Sequence, residues 1–250
     1  MKCYVCVLSS NDYLEGVLVL NENLKALKSR YKLLCLINDK INEKTKSILD
    51  FFQIEYITNR NISLNYANYI RWTNAFDKLH VFSLSEYEKV VYLDCDMLIL
   101  RNIDSLFLKE KNTMASDEPY TDGYNSAVMI VKPNYTDYKE LLNLISKYDQ
   151  PNKIEGIGDQ NIINDYFGNN LDKLGIAYNQ MKYIVEENGS YHINEATPPV
   201  KNPFIIHYIL KNKPFMIDEN YLDNDKYLKR YKKYLTTVRN KMKKYEKEVN

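Results

Sequence analysis

With 250 residues, 45% of them hydrophobic and 27% charged, the chain is long enough to bury a full core and too mixed in composition to be disordered or fibrous. The net charge of +1 conceals an asymmetry, because residues 226–250 carry ten Lys or Arg against two Glu, a surplus of +8 that leaves −7 on residues 1–225. A mildly acidic body with a basic tail one helix wide, and no aromatic platform beside it, argues against nucleic-acid binding.

The first apolar run, Lys2 to Leu8, is too short for a signal-peptide core and no later stretch approaches a membrane span, which predicts a cytoplasmic chain without one. Cys3, Cys6, Cys35 and Cys95 fit that compartment as reduced, buried residues. Cys3 and Cys6 have C-x-x-C spacing, yet three apart on a strand they point to opposite faces, and no second pair completes a zinc site.

In chain order, Lys2–Leu8 is predicted as a buried strand and Tyr13–Arg30 as a helix with an apolar stripe at Leu14, Val17, Leu18, Leu20, Leu24 and Leu27, capped by Asn11 or Asp12. Strands at Tyr31–Ile37 and Ile54–Ile57 flank a helix at Asn42–Phe52. This β-α-β-α-β opening implies a parallel sheet covered by helices. Asn59 to Trp72 reads as a loop near the site, and Thr73 to Leu84 as a helix leading into an apolar strand at Val90 to Leu93. Then come a short helical turn at Ser105–Phe107, strands at Thr113–Ser116 and Ser126–Val131, helices at Tyr135–Tyr148 and Asp159–Phe167, and a late strand at Phe204–Ile209.

The richest segment is Val90 to Leu100, VVYLDCDMLIL, where Asp94 and Asp96 stand one residue apart as the strand leaves the sheet. Side chains two apart on a strand share a face, so both carboxylates can reach one cation. D-x-D also marks plain turns and helix caps, but an acidic pair between two apolar runs is costly unless charge meets charge. A hard divalent ion takes one or two carboxylates and leaves other positions to substrate phosphates, chemistry suited to departure of a phosphate. In an open α/β sheet, the ends of the first and fourth strands face one crevice.

These segments together resemble glycosyltransferase family 8, in particular its glycogenin branch, from about Tyr4 to Phe215. VLSSNDYLEGVLVLNENLK is similar to the family's nucleotide-binding opening, which implies Leu8, Ser10, Asn11 and Tyr13 at uracil and ribose. DKLHVFSLSEYEKVVYLDCDMLILRNIDSLF is similar to its signature, with Lys78 at the donor and Asp94, Cys95 and Asp96 as the D-x-D. ASDEPYTDGYNSAVMIVKP implies Asp117, Asn125 and Ser126 at the donor hexose. GDQNIINDYF implies Asp159 and Gln160 beside the transferred sugar, and HYILKNKPF implies His207 as third metal ligand and Lys213 near the diphosphate. Alone, His207 on an apolar strand would read as a core histidine.

The resemblance implies a GT-A fold, that is, a Rossmann-like mixed sheet flanked by helices, with a catalytic domain over residues 1–217 and a basic amphipathic helix over 218–250. It also implies a retaining hexosyl transfer from a UDP-sugar, glucose by default, to a hydroxyl of a sugar or of a protein tyrosine. Imidazole beside carboxylates favours Mn²⁺, with Mg²⁺ as the alternative. Two departures stand out: Leu210 replaces the glycine usual three residues after the histidine, and Glu155-Gly156-Ile157-Gly158-Asp159-Gln160 replaces D-G-G-D-Q. Tyr183 and Tyr191 are acceptor candidates by proximity alone.

From Tyr231, apolar residues recur at Leu235, Val238, Met242, Tyr245 and Val249. This predicts an amphipathic tail helix lying across the acidic body, with a homodimeric coiled coil or an anionic-surface anchor as alternatives. Two rivals to the enzyme reading are a non-catalytic UDP-sugar scaffold and a sugar-1-phosphate nucleotidyltransferase. The latter needs a Gly-rich basic loop that Ser9-Ser10-Asn11-Asp12 does not provide.

Overall fold

A computed structural model describes residues 1–62, 75–149 and 157–249. The loop expected over 63–72, the helix start at 73–74 and the Glu155-Gly156 pair lie outside the described residues. Strands β1 (Lys2–Leu8), β2 (Leu33–Asn38), β3 (Glu55–Asn59) and β4 (Lys89–Leu93) run parallel, with helices α1 (Leu14–Ala26) and α2 (Glu43–Phe51) between the first three. Four more elements follow, namely β5 (Met97–Ile99), β6 (Thr113–Ser116), β7 (Tyr124–Val131) and α3 (Tyr135–Tyr148). After them come α4 (Asp159–Phe167), β8 (Asp172–Leu174), β9 (Gln180–Glu187), β10 (Ser190–Glu195), β11 (Ile205–Ile209) and α5 (Lys226–Val249).

The main sheet has seven strands in the order β3-β2-β1-β4-β7-β6-β8, mixed because β7 runs antiparallel to both β4 and β6. Between β1 and β4 the strand order reverses, and this switch point opens a crevice where both strands end. A second sheet, β10-β9-β11-β5, stands beside it, with β5 and β11 antiparallel so that His207 pairs with Met97.

Period-two alternation along β1 sends Tyr4, Cys6 and Leu8 to one face and Cys3 and Val5 to the other. The first face packs against α1, α2, α5 and the second sheet, and the other against α3, α4 and a 3₁₀ segment at Ala75–Ser83. All four cysteines are buried and free, and burial pushes the Cys3 thiol up to about 12.

Three local differences from the sequence reading have physical causes. Ser10, not Asn11 or Asp12, caps the first helical turn, and Asn11 instead accepts from Thr45 Oγ1 at 2.8 Å. Helix α1 stops at Ala26 because Lys28 turns left-handed at φ 54° and lets Ser29 N close onto Leu24 O. The β9–β10 hairpin turns at Asn188 and Gly189, both with positive φ, as a tight hairpin demands.

The tail helix α5 buries Leu228, Tyr231, Leu235, Val238 and Tyr245, and packs on α1 and α2. Arg239 bridges Glu15 at 2.8 Å, and Tyr245 donates to Ser47 Oγ at 2.9 Å. The apolar stripe is thus spent within the chain, as expected of a helix lying across the body. Val249 departs from it at 65% exposure.

Candidate active site

The crevice at the switch point has a volume of about 330 Å³ and is walled by Ser10, Tyr13, Lys78, Tyr92, Asp94, Cys95, Asp96 and Asp159 among others. Strand β4 delivers Asp94, whose backbone N donates to Ala127 O at 3.0 Å and so pins the D-x-D turn to β7. Strand β11 delivers His207 from the facing sheet. Ligand atoms of Asp94, Asp96 and His207 all lie within 4.8 Å of one another.

Electrostatics define this group. The Nε2 atom of His207 lies 3.3 Å from Asp96 Oδ1 and 3.9 Å from Asp94 Oδ2, while Nδ1 meets Asn179 Oδ1 at 2.9 Å. Asn179 is wholly buried, and an Nδ1–H donated to it leaves the Nε2 lone pair aimed at the carboxylates. Asp96 Oδ1 is buried without a hydrogen-bond partner, the kind of orphaned acceptor that a cation satisfies. A donor set of two carboxylates and one imidazole suits a divalent cation.

Two buried lysines hold the opposite charge. Lys213 Nζ sits 2.6 Å from Asp96 Oδ2 and donates to Tyr208 O at 2.7 Å. Burial would raise the Asp96 pKa, but the Lys213 ammonium works against it and the carboxyl stays below its usual range. Lys78 Nζ lies 3.1 Å from Asp94 Oδ1, 3.0 Å from Asp159 Oδ2 and 3.1 Å from Ser126 Oγ. Burial would lower its pKa, yet Asp159 and Asp94 raise it. Lys78 therefore stays charged and ties the D-x-D to the start of α4.

The remaining expected residues divide. Ser126 Oγ donates to Asp159 Oδ2 at 2.6 Å, and Gln160 Oε1 accepts from Ser126 N at 3.4 Å, which joins these three to Lys78. Asp117 accepts from Asn125 Nδ2 at 2.9 Å, so two of the three expected hexose contacts form a pair. Tyr13 stacks edge-on against Phe215 near Lys213. Leu8 is fully buried in the core, and Asn11 is turned toward α2; neither side chain lines the crevice.

Three residues beyond those expected support the site. Tyr92 OH donates to Asp94 Oδ1 at 2.6 Å, which its position two residues earlier on the same strand face makes possible. Asn179 carries no comparable signal, standing 28 residues from His207 in sequence. Gly16 lies where a Cβ would come within 2.8 Å of both Cys95 O and Phe215 Cε1, so α1 touches the D-x-D turn and the segment after Lys213 at once.

The model of the glycosyl transferase family 8 matches residues 4–218. The chain belongs to glycosyltransferase family 8. Among its relatives within the family, Glycogenin-1 of Caenorhabditis elegans is 30% identical over 227 residues, covering 86% of this chain and 51% of its own length. Mouse Glycogenin-1 is 26% identical over 221 residues, covering 86% and 65% respectively. The chain thus spans about half to two thirds the length of these curated relatives. The crystal structure of the galactosyltransferase LgtC with donor and acceptor sugar analogs superposes with a TM-score of 0.67 at 17% identity, covering 95% of this chain and 96% of that one. This family 8 chain therefore has the GT-A fold. Its position usually held by glycine, Leu210, adopts φ 65°, the left-handed conformation that glycine would take there without strain. Among its described residues, no helix is long and apolar enough to cross a membrane.

Proposed function

We propose that this chain is a retaining, Mn²⁺-dependent glycosyltransferase that moves a hexose, glucose by first choice, from a UDP-sugar to a hydroxyl of a sugar or a protein tyrosine. The observation that carries the reading is the convergence of Asp94, Asp96 and His207 within 4.8 Å at the sheet's switch point, with the buried Asp96 Oδ1 unpartnered. A divalent ion held there supplies Lewis acidity toward the departing diphosphate. The residues around it divide the remaining work.

Lys78 and Lys213, both buried and cationic, face the diphosphate oxygens and stabilise charge as UDP leaves. Asp159, fixed by Lys78 and Ser126, lies against the oxocarbenium-like centre, with Gln160 beside it orienting the acceptor hydroxyl. The Asp117–Asn125 pair meets the donor hexose. Ser10 and Tyr13, with the backbone at Leu8 and Asn11, flank uracil and ribose, and Cys95 contributes backbone, since its side chain is buried. The left-handed Leu210 supports a working site over a decayed scaffold, because the backbone geometry needed near phosphate persists without glycine.

The test is to incubate the purified chain with Mn²⁺ and a panel of UDP-sugars, assay free UDP and weigh the intact protein. UDP release with one sugar, abolished by Asp96→Asn, is expected. A mass increase of one hexose, lost in Tyr183→Phe or Tyr191→Phe, would mark a tyrosine acceptor. Unchanged turnover in Asp96→Asn defeats the assignment of the site.

A further inference from the structure

The outward face of α5 has no role in the site. Along it, Lys226, Arg230 and Lys233 fall four and three residues apart, and Lys244 and Lys247 repeat the same face eleven residues, about three turns, beyond Lys233; flanked by Lys229 and Lys243, the two clusters lie opposite the buried stripe Leu228, Tyr231, Leu235, Val238 and Tyr245. Ion pairs within the chain engage Lys232 with Asp223, Arg239 with Glu15 and Glu219, Lys241 with Glu22, and Lys244 with Glu248. Among the described residues, Lys226, Lys229, Arg230, Lys233, Lys243 and Lys247 pair with no carboxylate. All six lie at the solvent side of the helix, Arg230 half-buried and the others exposed.

This charge continues past the helix. At its N-terminal end a cavity of about 330 Å³ is lined by Arg101, Lys201, Lys226, Tyr227 and Arg230. Arg230 Nη2 donates to Leu100 O at 2.8 Å and Arg101 Nη2 to Pro203 O at 3.4 Å, so backbone carbonyls hold both guanidinium groups at the cavity while leaving other N–H donors free. Neither Arg101 nor Lys201 pairs with a carboxylate among the described residues. The cavity sits beyond Ile99, the end of β5 opposite Asp96, so a ligand there leaves the donor crevice open.

We propose that α5 and this cavity form a docking face for an anionic phospholipid surface, with one headgroup phosphate entering between Arg101, Lys201 and Arg230. The 24-residue helix is about 36 Å long and carries an unpaired cationic cluster toward each end of one face, a spread matched to a plane of negative charge rather than to a groove or a compact anion. The outward face carries no large apolar side chain to insert, so attachment is electrostatic, reversible and salt-sensitive. Arg reads phosphate bidentately, which suits the cavity to a headgroup. Tyr227, the aromatic residue lining the cavity, has Lys226 and Lys182 over its ring and so offers no open face for a base, which disfavours nucleic acid.

The test is cosedimentation of the whole chain with vesicles of phosphatidylcholine containing phosphatidylglycerol, beside vesicles of phosphatidylcholine alone. Binding to the first only, released at high salt, is expected. The variant Lys226→Gln/Lys229→Gln/Lys233→Gln/Lys243→Gln/Lys247→Gln should bind at least about tenfold more weakly, because each cation near the surface contributes separately. The pair Arg101→Gln/Lys201→Gln should weaken binding while leaving UDP release from soluble substrates unchanged. Equal binding to both vesicle types, full binding by the five-fold variant with an unchanged melting curve, or tighter binding to duplex DNA than to the anionic vesicles overturns the proposal.

Discussion

Nδ1 of His207 lies 2.9 Å from Oδ1 of Asn179, a residue with no exposed surface. This contact sets which ring nitrogen faces Asp94 and Asp96. Asn179→Leu should weaken Mn²⁺ binding by roughly 10- to 100-fold, the usual cost of removing such support behind a ligand. Free Mn²⁺ counted by electron paramagnetic resonance checks this without any sugar donor. Asn179→Asp, which still accepts from Nδ1–H, should retain most of the affinity.

Lys78 sits between Asp94 and Asp159, and all three are largely enclosed. Lys78→Met should strand two carboxylates and destabilise the fold by about 3 kcal/mol, as breaking buried pairs does. Its kcat should fall by at least about 100-fold, consistent with loss of a charge-stabilising group. Chemical denaturation and steady-state kinetics measure the two effects separately.

Gly16 leaves no room for a methyl group, given the 2.8 Å approach to Cys95 O and Phe215 Cε1. Gly16→Ala should cost about 1–3 kcal/mol through overpacking. Because the displaced atoms belong to the turns bearing Asp96 and Lys213, its KM for donor should rise more than its kcat falls. A variant with unaltered stability and KM would show that this contact yields freely.

Leu210 holds φ 65°, where a side chain costs roughly 1–2 kcal/mol. Leu210→Gly removes that penalty and adds unfolded-chain entropy of about 0.5–1 kcal/mol, so the melting temperature should hold or rise. A clear drop in thermal denaturation would mean that the half-exposed side chain contributes packing of its own.

His80 is neutral by construction, with Nε2 2.9 Å from Arg60 O and Nδ1 2.9 Å from Tyr138 OH. Burial lowers its pKa, and the weaker pull of Arg60 O and Asp77 does not restore it. The unfolded chain therefore binds the proton more readily. Stability from this residue is present above the ordinary histidine pKa and is lost as pH falls through that range toward the lower folded value. Melting temperatures from pH 8 to pH 5 should fall less steeply in His80→Gln.

Much of this architecture was written in local pattern. The parallel opening followed from the largely apolar β1 and β2 alternating with amphipathic α1 and α2, and the switch point placed Ser10 and Asp94 together. The second sheet was harder to see, because only half of β9 and none of β10 is buried and their alternation blurs. Asn188-Gly189 was a legible hairpin signal, yet it reads equally as part of an Asn-Gly-Ser sequon. Asn179 was beyond any local rule, since its role arises only where the 3₁₀ turn Ile176–Tyr178 meets β11. Leu210 shows the reverse case, where a missing glycine suggested altered geometry and the backbone kept the left-handed turn regardless.

Helix α5 closes over α1 and α2 through Leu235, Val238, Tyr245 and the Arg239–Glu15 bridge. The contacts that cover this oily flank join residues 224 apart at Arg239–Glu15 and 198 apart at Tyr245–Ser47, so the flank stays bare until α5 has been made. Maturation is thus gated by α5, and nascent chains stalled short of it are natural clients for chaperones.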